Sequence, residues 1–451
     1  MRISAEIQAR LAATDAHVVR GRGAAGDALR RTILAGSRVA VINPGSHAKR
    51  FMYERAKALG VELVLVGRPD SWARSLVDDG VAVRYIDVEW PGDPDEAADL
   101  GLSALNDESG LLDGVVTFWE DAVPTVARVA ETLGLPGSPP AAADTARSKE
   151  RTLEASRRAG LPTPDYMHLR GARSLPAAAE RIGFPAVIKP IFGAEAMGVV
   201  RADDLQALEA AYARDRALIG PDFDPIFEQG SGLILEEYLD GTEFDVDIVL
   251  SNGACVFAAT SENWPTNEPY FVETGLHTPS WHPPDRLAAV TDLCIRTALA
   301  LGFTDAVLHV EAKDTSRGPR LLEVNARLGG GRTADDHLLV TGVDLVEQVL
   351  LTSVGIPVAP SGNREPACGI ALFVVEAPRS GILRHARFLD HLAGDSSVYQ
   401  ADVKVPAGSQ VTARADGFPT SVAEVSVRAA DAMTARTHVR ELVDALEIPI
   451  D

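Results

Sequence analysis

The 451-residue chain has three cysteines, Cys255, Cys294 and Cys368, no CxxC pair and only 6% aromatic residues. An odd, scattered set of this kind excludes a disulfide framework and a cysteine-bound structural zinc, and is expected of a reducing, cytoplasmic setting. No apolar run approaches the ~20 residues that span a bilayer. The opening MRISAEIQARLAATDAHVVRG lacks the apolar core of a signal peptide, so no membrane association is expected. Basic residues are also scarce: 43 Lys and Arg against 64 Asp and Glu leave a net charge of −21. A polyanionic partner would be repelled, which argues against nucleic-acid binding, though not against a small anion held by a few local lysines.

Hydrophobic residues make up 46% and charged residues 24% of a chain too long for one ordinary core, so two or three packed units are expected. Over residues 38–137 the runs RVAVIN, VELVLVG, VAVRYIDV and LDGVVTF alternate with helical stretches at Ala48–Leu59, Trp72–Asp78 and Ala122–Leu133. That alternation predicts parallel strands with crossover helices in a Rossmann-like layer. A second unit begins near Asp144. Beyond Leu233 the pattern becomes antiparallel: TEFDVDIVL and ACVFAAT alternate with period 2 around Asn252-Gly253, a strong hairpin signal. Helices are expected around Leu287–Leu301 and Asp344–Leu351, strands at GIALFVVEA and QVTARADG, and a last helix near Ala429–Leu446. The predicted division is residues 1–143, residues 144–358 in two lobes (about 144–231 and 232–358), and residues 359–451 as a small α+β cap.

The segment VLHVEAKDTSRGPRLLEVNARLGGG folds naturally about its DTSRGP turn. A turn centred on Arg317 sets Glu311 opposite Glu323 and His309 opposite Asn325. Side chains alternate across a strand. One face then carries His309, Glu311, Lys313, Glu323, Asn325 and Arg327; the other carries Leu308, Val310, Ala312, Leu322, Val324 and Ala326. Carboxylates directly across a strand pair stand roughly 5 Å apart and repel. A solvated outer face would tolerate a bare glutamate pair. The added amide of Asn325, the arginine one step on and three glycines favour a hard oxygen site of the kind that suits Mg²⁺ and substrate phosphates. Lys189, in the apolar strand FPAVIKP, needs an anion to justify its burial. The loop Gly193–Gly198 lets backbone N–H groups approach phosphate, although an ordinary strand-to-turn connection would look similar. Lys149 lies on an amphipathic helix of no special character. In LILEEYLDGTEFDVD, backbone edges could read an adenine and Glu243 could accept ribose hydroxyls, but a surface strand with acidic ends would fit equally. His309 suits a substrate contact or a hydrogen-bonded structural role.

Lys149, Lys189, the Gly193–Gly198 loop, LEEYLDGTEFDVD and HVEAK…LLEVNARLGGG occur in the order and approximate spacing of ATP-grasp carboxylate–amine ligases. From about residue 38 onward the chain resembles that family. NPGSHAKRFMYERAKALGV, TFWEDAVP and ENWPTNEPYFVETGLHTPS are similar to segments of its carnosine-synthase and bacterial L-amino-acid (dipeptide) ligase branch. The resemblance implies an α/β fold, with an N-terminal Rossmann-like domain, a two-lobed ATP-grasp domain of α+β type and a C-terminal cap. It implies an ATP-dependent, ADP-forming enzyme that makes a dipeptide or peptide-like amide through an acyl phosphate, as in natural-product biosynthesis. Lys149 and Lys189 would hold the α- and β-phosphates under the loop of Gly193, Met197 and Gly198. Glu236, Glu237 and Leu239 would bracket the adenine and Glu243 the ribose. Glu311, Glu323 and Asn325 would ligate two Mg²⁺ ions, with Mn²⁺ able to substitute. Arg327 would face the reacting carboxylate, forming the catalytic set with Glu311 and Glu323. Glu120, Glu273, His277, His309, Gly330 and Gly331 would line the pocket for amino-acid or peptide substrates, the glycines leaving room for a bulky carboxyl donor. A homodimer is implied as well. Glu195, Ala196 and Met197 stand where the family often has serines, so fewer hydroxyls would meet the terminal phosphate. An ATP-grasp carboxylase, an acyl–carrier-protein ligase and a non-catalytic nucleotide-binding module are the alternatives.

Overall fold

The computed structural model describes residues 3–219, 227, 229, 230, 232–363 and 365–451. The expected division between lobes at Ser231 lies outside the described residues. Strands β1 (Arg38–Ile42), β2 (Glu62–Gly67), β3 (Arg84–Asp87) and β4 (Gly114–Val116) form a parallel sheet in the order β3-β2-β1-β4. The central strands are continuous apolar runs because helices cover both faces. The strand order reverses between β1 and β4, and the loops after these two strands gather at one end of the sheet, the usual ligand-binding end of such layers. Ahead of β1, where the sequence pattern predicts no element, the chain forms helices Ala5–Ala12, Ala16–Arg20 and Ala24–Leu34, the first two capped by the Ser4 and Asp15 side chains.

A second sheet, antiparallel, joins β5 (Tyr166–Leu169), β6 (Ala186–Pro190), β7 (Val200–Ala202) and β8 (Leu233–Glu237) in the order β5-β8-β6-β7. The third is the largest. It contains β9 (Thr242–Ser251), β10 (Ala254–Asn263), β11 (Gly275–Thr278), β12 (Ala306–Thr315), β13 (Gly318–Asn325) and β14 (Gly369–Glu376). A small pair, β15 (Gly381–Ile382) and β17 (Gln410–Val411), sits apart, while β16 (Val398–Val403) and β18 (Ser421–Ala429) complete the large sheet. Its order is β13-β12-β9-β10-β11-β14-β18-β16.

The turn between β9 and β10 is Asn252-Gly253, both in the left-handed region, as the hairpin pattern requires. The expected strand QVTARADG contributes only Gln410–Val411, and β16 and β18 instead extend the large sheet. β14 pairs with β11, so this sheet runs unbroken past residue 359. One face of β9 and β12 buries Phe244, Val246, Ile248, Leu308 and Val310 against Val290, Cys294 and Ala298 of the helix Pro284–Ala300. By period 2, the opposite face of these strands carries the polar residues.

Candidate active site

That polar face is built in rows. Between β9 and β12, Glu243 stands opposite Lys313, Asp245 opposite Glu311, and Asp247 opposite His309. Between β12 and β13, Glu311 stands opposite Glu323 and His309 opposite Asn325, as the sequence predicts. The turn is one residue tighter than expected. The chain reverses at Thr315–Gly318, Lys313 faces Arg320, and a bulge beside Glu311 and Ala312 absorbs the difference. Leu321 therefore takes the core position, and Leu322, expected on the apolar face, lines the cleft instead.

The carboxylates at the centre are not equivalent. Burial, then the facing Glu323, Asp245, Glu243 and Glu273, push the Glu311 carboxyl well above its ordinary range. Burial acts on Glu323 in the same sense, but Lys149 at 2.8 Å, Asn325 and Lys189 outweigh it and hold this carboxyl down to about 2. The Asn325 amide nitrogen donates to Glu311 at 3.2 Å and to Glu323 at 3.0 Å, bringing its positive edge between two repelling groups. Glu273, an exposed residue at the cleft rim, is pushed up by partial desolvation there and by the like charges of Asp245 and Glu243.

These residues form one wall of a cleft of about 960 Å³, counting its open mouth. The other wall comes from β6, β8 and the loop between β6 and β7. Lys189 on β6 is buried against Glu236 on β8 at 2.9 Å, and Lys313 lies 3.8 Å from Glu243. Lys149, Gly193, Met197, Glu236, Glu237, Leu239, Glu243, Glu273, Glu311 and Glu323 all line the cleft. Gly198, just behind Met197, adopts φ +73°, and a Cβ there would stand 2.6 Å from Ile219. Glu195 and Ala196 are held at φ 53° and 55° without being glycine, a strain of about 1 kcal/mol or more each.

Beyond β13, Arg327 donates from Nη1 to the Leu328 carbonyl at 2.8 Å and from Nη2 to the Asn325 amide oxygen at 3.3 Å. Its Nε lies 2.8 Å from Glu120. Glu120 belongs to the turn after β4, so the first sheet grips the third at this arginine.

A family described as the ATP-grasp domain matches residues 182–335, and one described as the ATP-grasp N-terminal domain matches residues 53–137. The chain carries an ATP-grasp domain preceded by an ATP-grasp N-terminal domain. Carnosine synthase 1 of Gallus gallus is 34% identical over 368 residues, 78% of this chain and 39% of that protein. This ATP-grasp chain thus spans about two-fifths of the length of that curated relative. Alanine–anticapsin ligase of Bacillus subtilis is 26% identical over 256 residues, 53% of each chain. The crystal structure of an L-amino acid ligase from Bacillus licheniformis superposes with TM-score 0.79 at 22% identity, over 92% of this chain and 99% of that one.

Within this ATP-grasp protein the donor set fits a hard divalent cation. Two carboxylates and a carboxamide converge; Glu311 and Glu323 share the one amide nitrogen, and Lys149 reaches only the other oxygen of Glu323. Asp245, His309 and Glu311 also bring one ligand atom each within 4.8 Å of one another. His309 is anchored from behind: its Nδ1 lies 3.1 Å from Asp247, whose other oxygen lies 2.8 Å from His337 Nε2. Burial lowers the His309 pKa, but Asp247 and Asp245 outweigh it and raise it to about 8. Gly329 lies against this ring; a Cβ there would come within 2.8 Å of His309 Nδ1. Around a Cβ on Gly330 or Gly331 there would be open space.

His277 does not join the site. It pairs with Glu262 on β10, which in turn pairs with Phe244 on β9. The alternation that puts Glu243 and Asp245 in the cleft therefore puts His277 on the opposite face. There it accepts from Trp264 Nε1 at 3.1 Å, approaches Glu262 to 3.4 Å and stacks on Trp281. Conversely, Asp245, Asp247, His337, Asn263 and Lys49 belong to the surroundings of the cleft and were missed. The first two were readable, since EFDVD alternates in phase with Glu243. Asn263, which donates to Asp245 at 2.8 Å, and His337 required the tertiary fold.

Proposed function

We propose that the chain is an ADP-forming ligase that joins an amino-acid-like carboxylate to an amine, giving a dipeptide or similar amide. The observation that carries this reading is the convergence of Glu311, Glu323, Asn325 and Arg327 beside a cleft that also presents Lys149 and Lys189. The likeness to an alanine–anticapsin ligase supports it. A carboxylate is a poor electrophile, so its oxygen first takes the γ-phosphoryl group of ATP: an O–P bond forms, the β–γ bridge breaks and ADP leaves. The amine then attacks the acyl carbon, the C–N bond forms, and phosphate departs as the nitrogen loses its proton.

Charge stays on oxygen throughout, so fixed positive groups in a shielded site supply most of the catalysis. Lys149 and Lys189 exchange Glu323 and Glu236 for the α- and β-phosphates. Residues Glu236–Leu239 bracket the adenine, with Glu243 at the ribose. Mg²⁺ held by Glu311, Glu323 and Asn325 would neutralise charge on the transferring phosphate. Arg327 faces the reacting carboxylate, and Glu120 fixes the guanidinium. Glu273, His309, Gly330 and Gly331 border the amino-acid substrates. Among the described residues no helix is long and apolar enough to cross a membrane; the proposal extends to a cytoplasmic homodimer.

Phosphate release from MgATP across paired amino acids and short peptides tests the reaction class. ADP and phosphate are expected only when a carboxylate donor and an amine acceptor are both present. Release with bicarbonate alone would make the protein a carboxylase, and ATP binding without turnover on any pair would make it a non-catalytic module.

A further inference from the structure

Lys49 ends the short turn His47–Lys49 that follows β1, and is 6% exposed. Its Nζ donates to the Gly329 carbonyl at 2.9 Å, at the head of the glycine run beside Arg327. Every other lysine of the site has a carboxylate partner: Lys149 has Glu323, Lys189 has Glu236 and Lys313 has Glu243. Lys49 has one neutral carbonyl and, among the described residues, no carboxylate within 4 Å. Arg327, Glu195, Lys404 and Asp247 surround it at longer range, so it lies where the first sheet, the phosphate loop, the large sheet and the C-terminal segment meet. Burial and the like charge of Arg327 lower its pKa to about 7. A buried ammonium with no anion is costly, and an arriving anion would relieve both Lys49 and Arg327.

The proposed ligation, on which this inference rests, brings three anionic groups into the site. The phosphates have Lys149 and Lys189, which line the cleft. The reacting carboxylate has Arg327. The third is the carboxylate of an acceptor that is itself an amino acid, which stays free in the product. From the position of Lys49 at the head of the glycine run beside Arg327, we infer that Lys49 holds this acceptor carboxylate and selects small acceptors carrying amine and carboxylate on one molecule. Free amino acids are then preferred over amines without a carboxylate.

The test uses an amino-acid pair that the wild-type protein ligates, with the acceptor supplied as the free acid or as its neutral α-carboxamide. Wild type should favour the free acid by roughly 100-fold in kcat/KM, the scale of one desolvated charge pair. Lys49→Met should reduce that preference to roughly threefold, chiefly by raising KM for the free acid, with KM for ATP and for the donor unchanged. Its Tm should equal or exceed that of wild type, because an unpaired buried ammonium has been removed. Lys49→Arg should recover part of the preference. Equal losses on acid and amide in Lys49→Met would overturn the assignment. So would a wild type that uses the amide as well as the acid, a result independent of how any variant folds. A wild type that ligates no pair would instead refute the ligase reading, and this inference with it.

Discussion

Arg327→Ala is expected to bind ATP nearly as well as wild type while losing ligation by roughly a thousandfold in kcat, the scale of one preorganised donor removed from developing charge. The guanidinium is held from three sides, by Glu120, the Leu328 carbonyl and Asn325. None of these is among the groups proposed to touch the nucleotide, except that Asn325 is a proposed metal ligand. The substitution also strands buried Glu120, so some stability should be lost, on the order of 3 kcal/mol. Arg327→Ala combined with Glu120→Gln should recover most of that stability and none of the activity, which separates the structural effect from the chemical one. Calorimetric ATP binding beside product assays reads both. Normal ligation by either variant would remove Arg327 from the mechanism.

Glu311→Gln should move stability and metal use in opposite directions. Glu311 is half-buried and faces Glu323, Asp245, Glu243 and Glu273, all of its own sign. Removing its charge relieves that repulsion, so Tm measured without metal should rise. The same change deletes one of two proposed carboxylate ligands, and half-saturation by Mg²⁺ should move up by roughly 100-fold or more. Glu323→Gln should differ in sign in the first measurement. Its charge is held down by Lys149 and Asn325, so its loss leaves Lys149 unpaired and Tm should fall, with Mg²⁺ half-saturation again raised. An unchanged Mg²⁺ titration in both variants would contradict a cation at this pair.

Much of the site was legible because it lies on strands. Period-2 alternation alone sets Glu311 against Glu323, and the apolar surroundings of Lys189 in its strand point to an anionic partner. The bulge that sends Leu322 into the cleft has no sequence signature, because Leu321 and Leu322 are chemically identical and only the turn length selects between them. His277 was placed by resemblance of its segment, and the strand phase through Glu262 and Phe244 overrules that placement. The strands β16 and β18 have no clear sequence signal because their alanines and serines blur the alternation, although four valines and alanines of β18 are fully buried. Lys49 was beyond sequence reasoning altogether. It sits on a surface-like turn of the first sheet, and its partner is the carbonyl of Gly329, 280 residues away.

The central claim is that phosphate leaves ATP by way of the donor carboxylate. The most direct measurement is to run the ligation with both oxygens of that carboxylate replaced by ¹⁸O and to weigh the phosphate released. An acyl phosphate predicts one ¹⁸O in each phosphate and the other in the amide carbonyl. Unlabelled phosphate formed together with amide would contradict it.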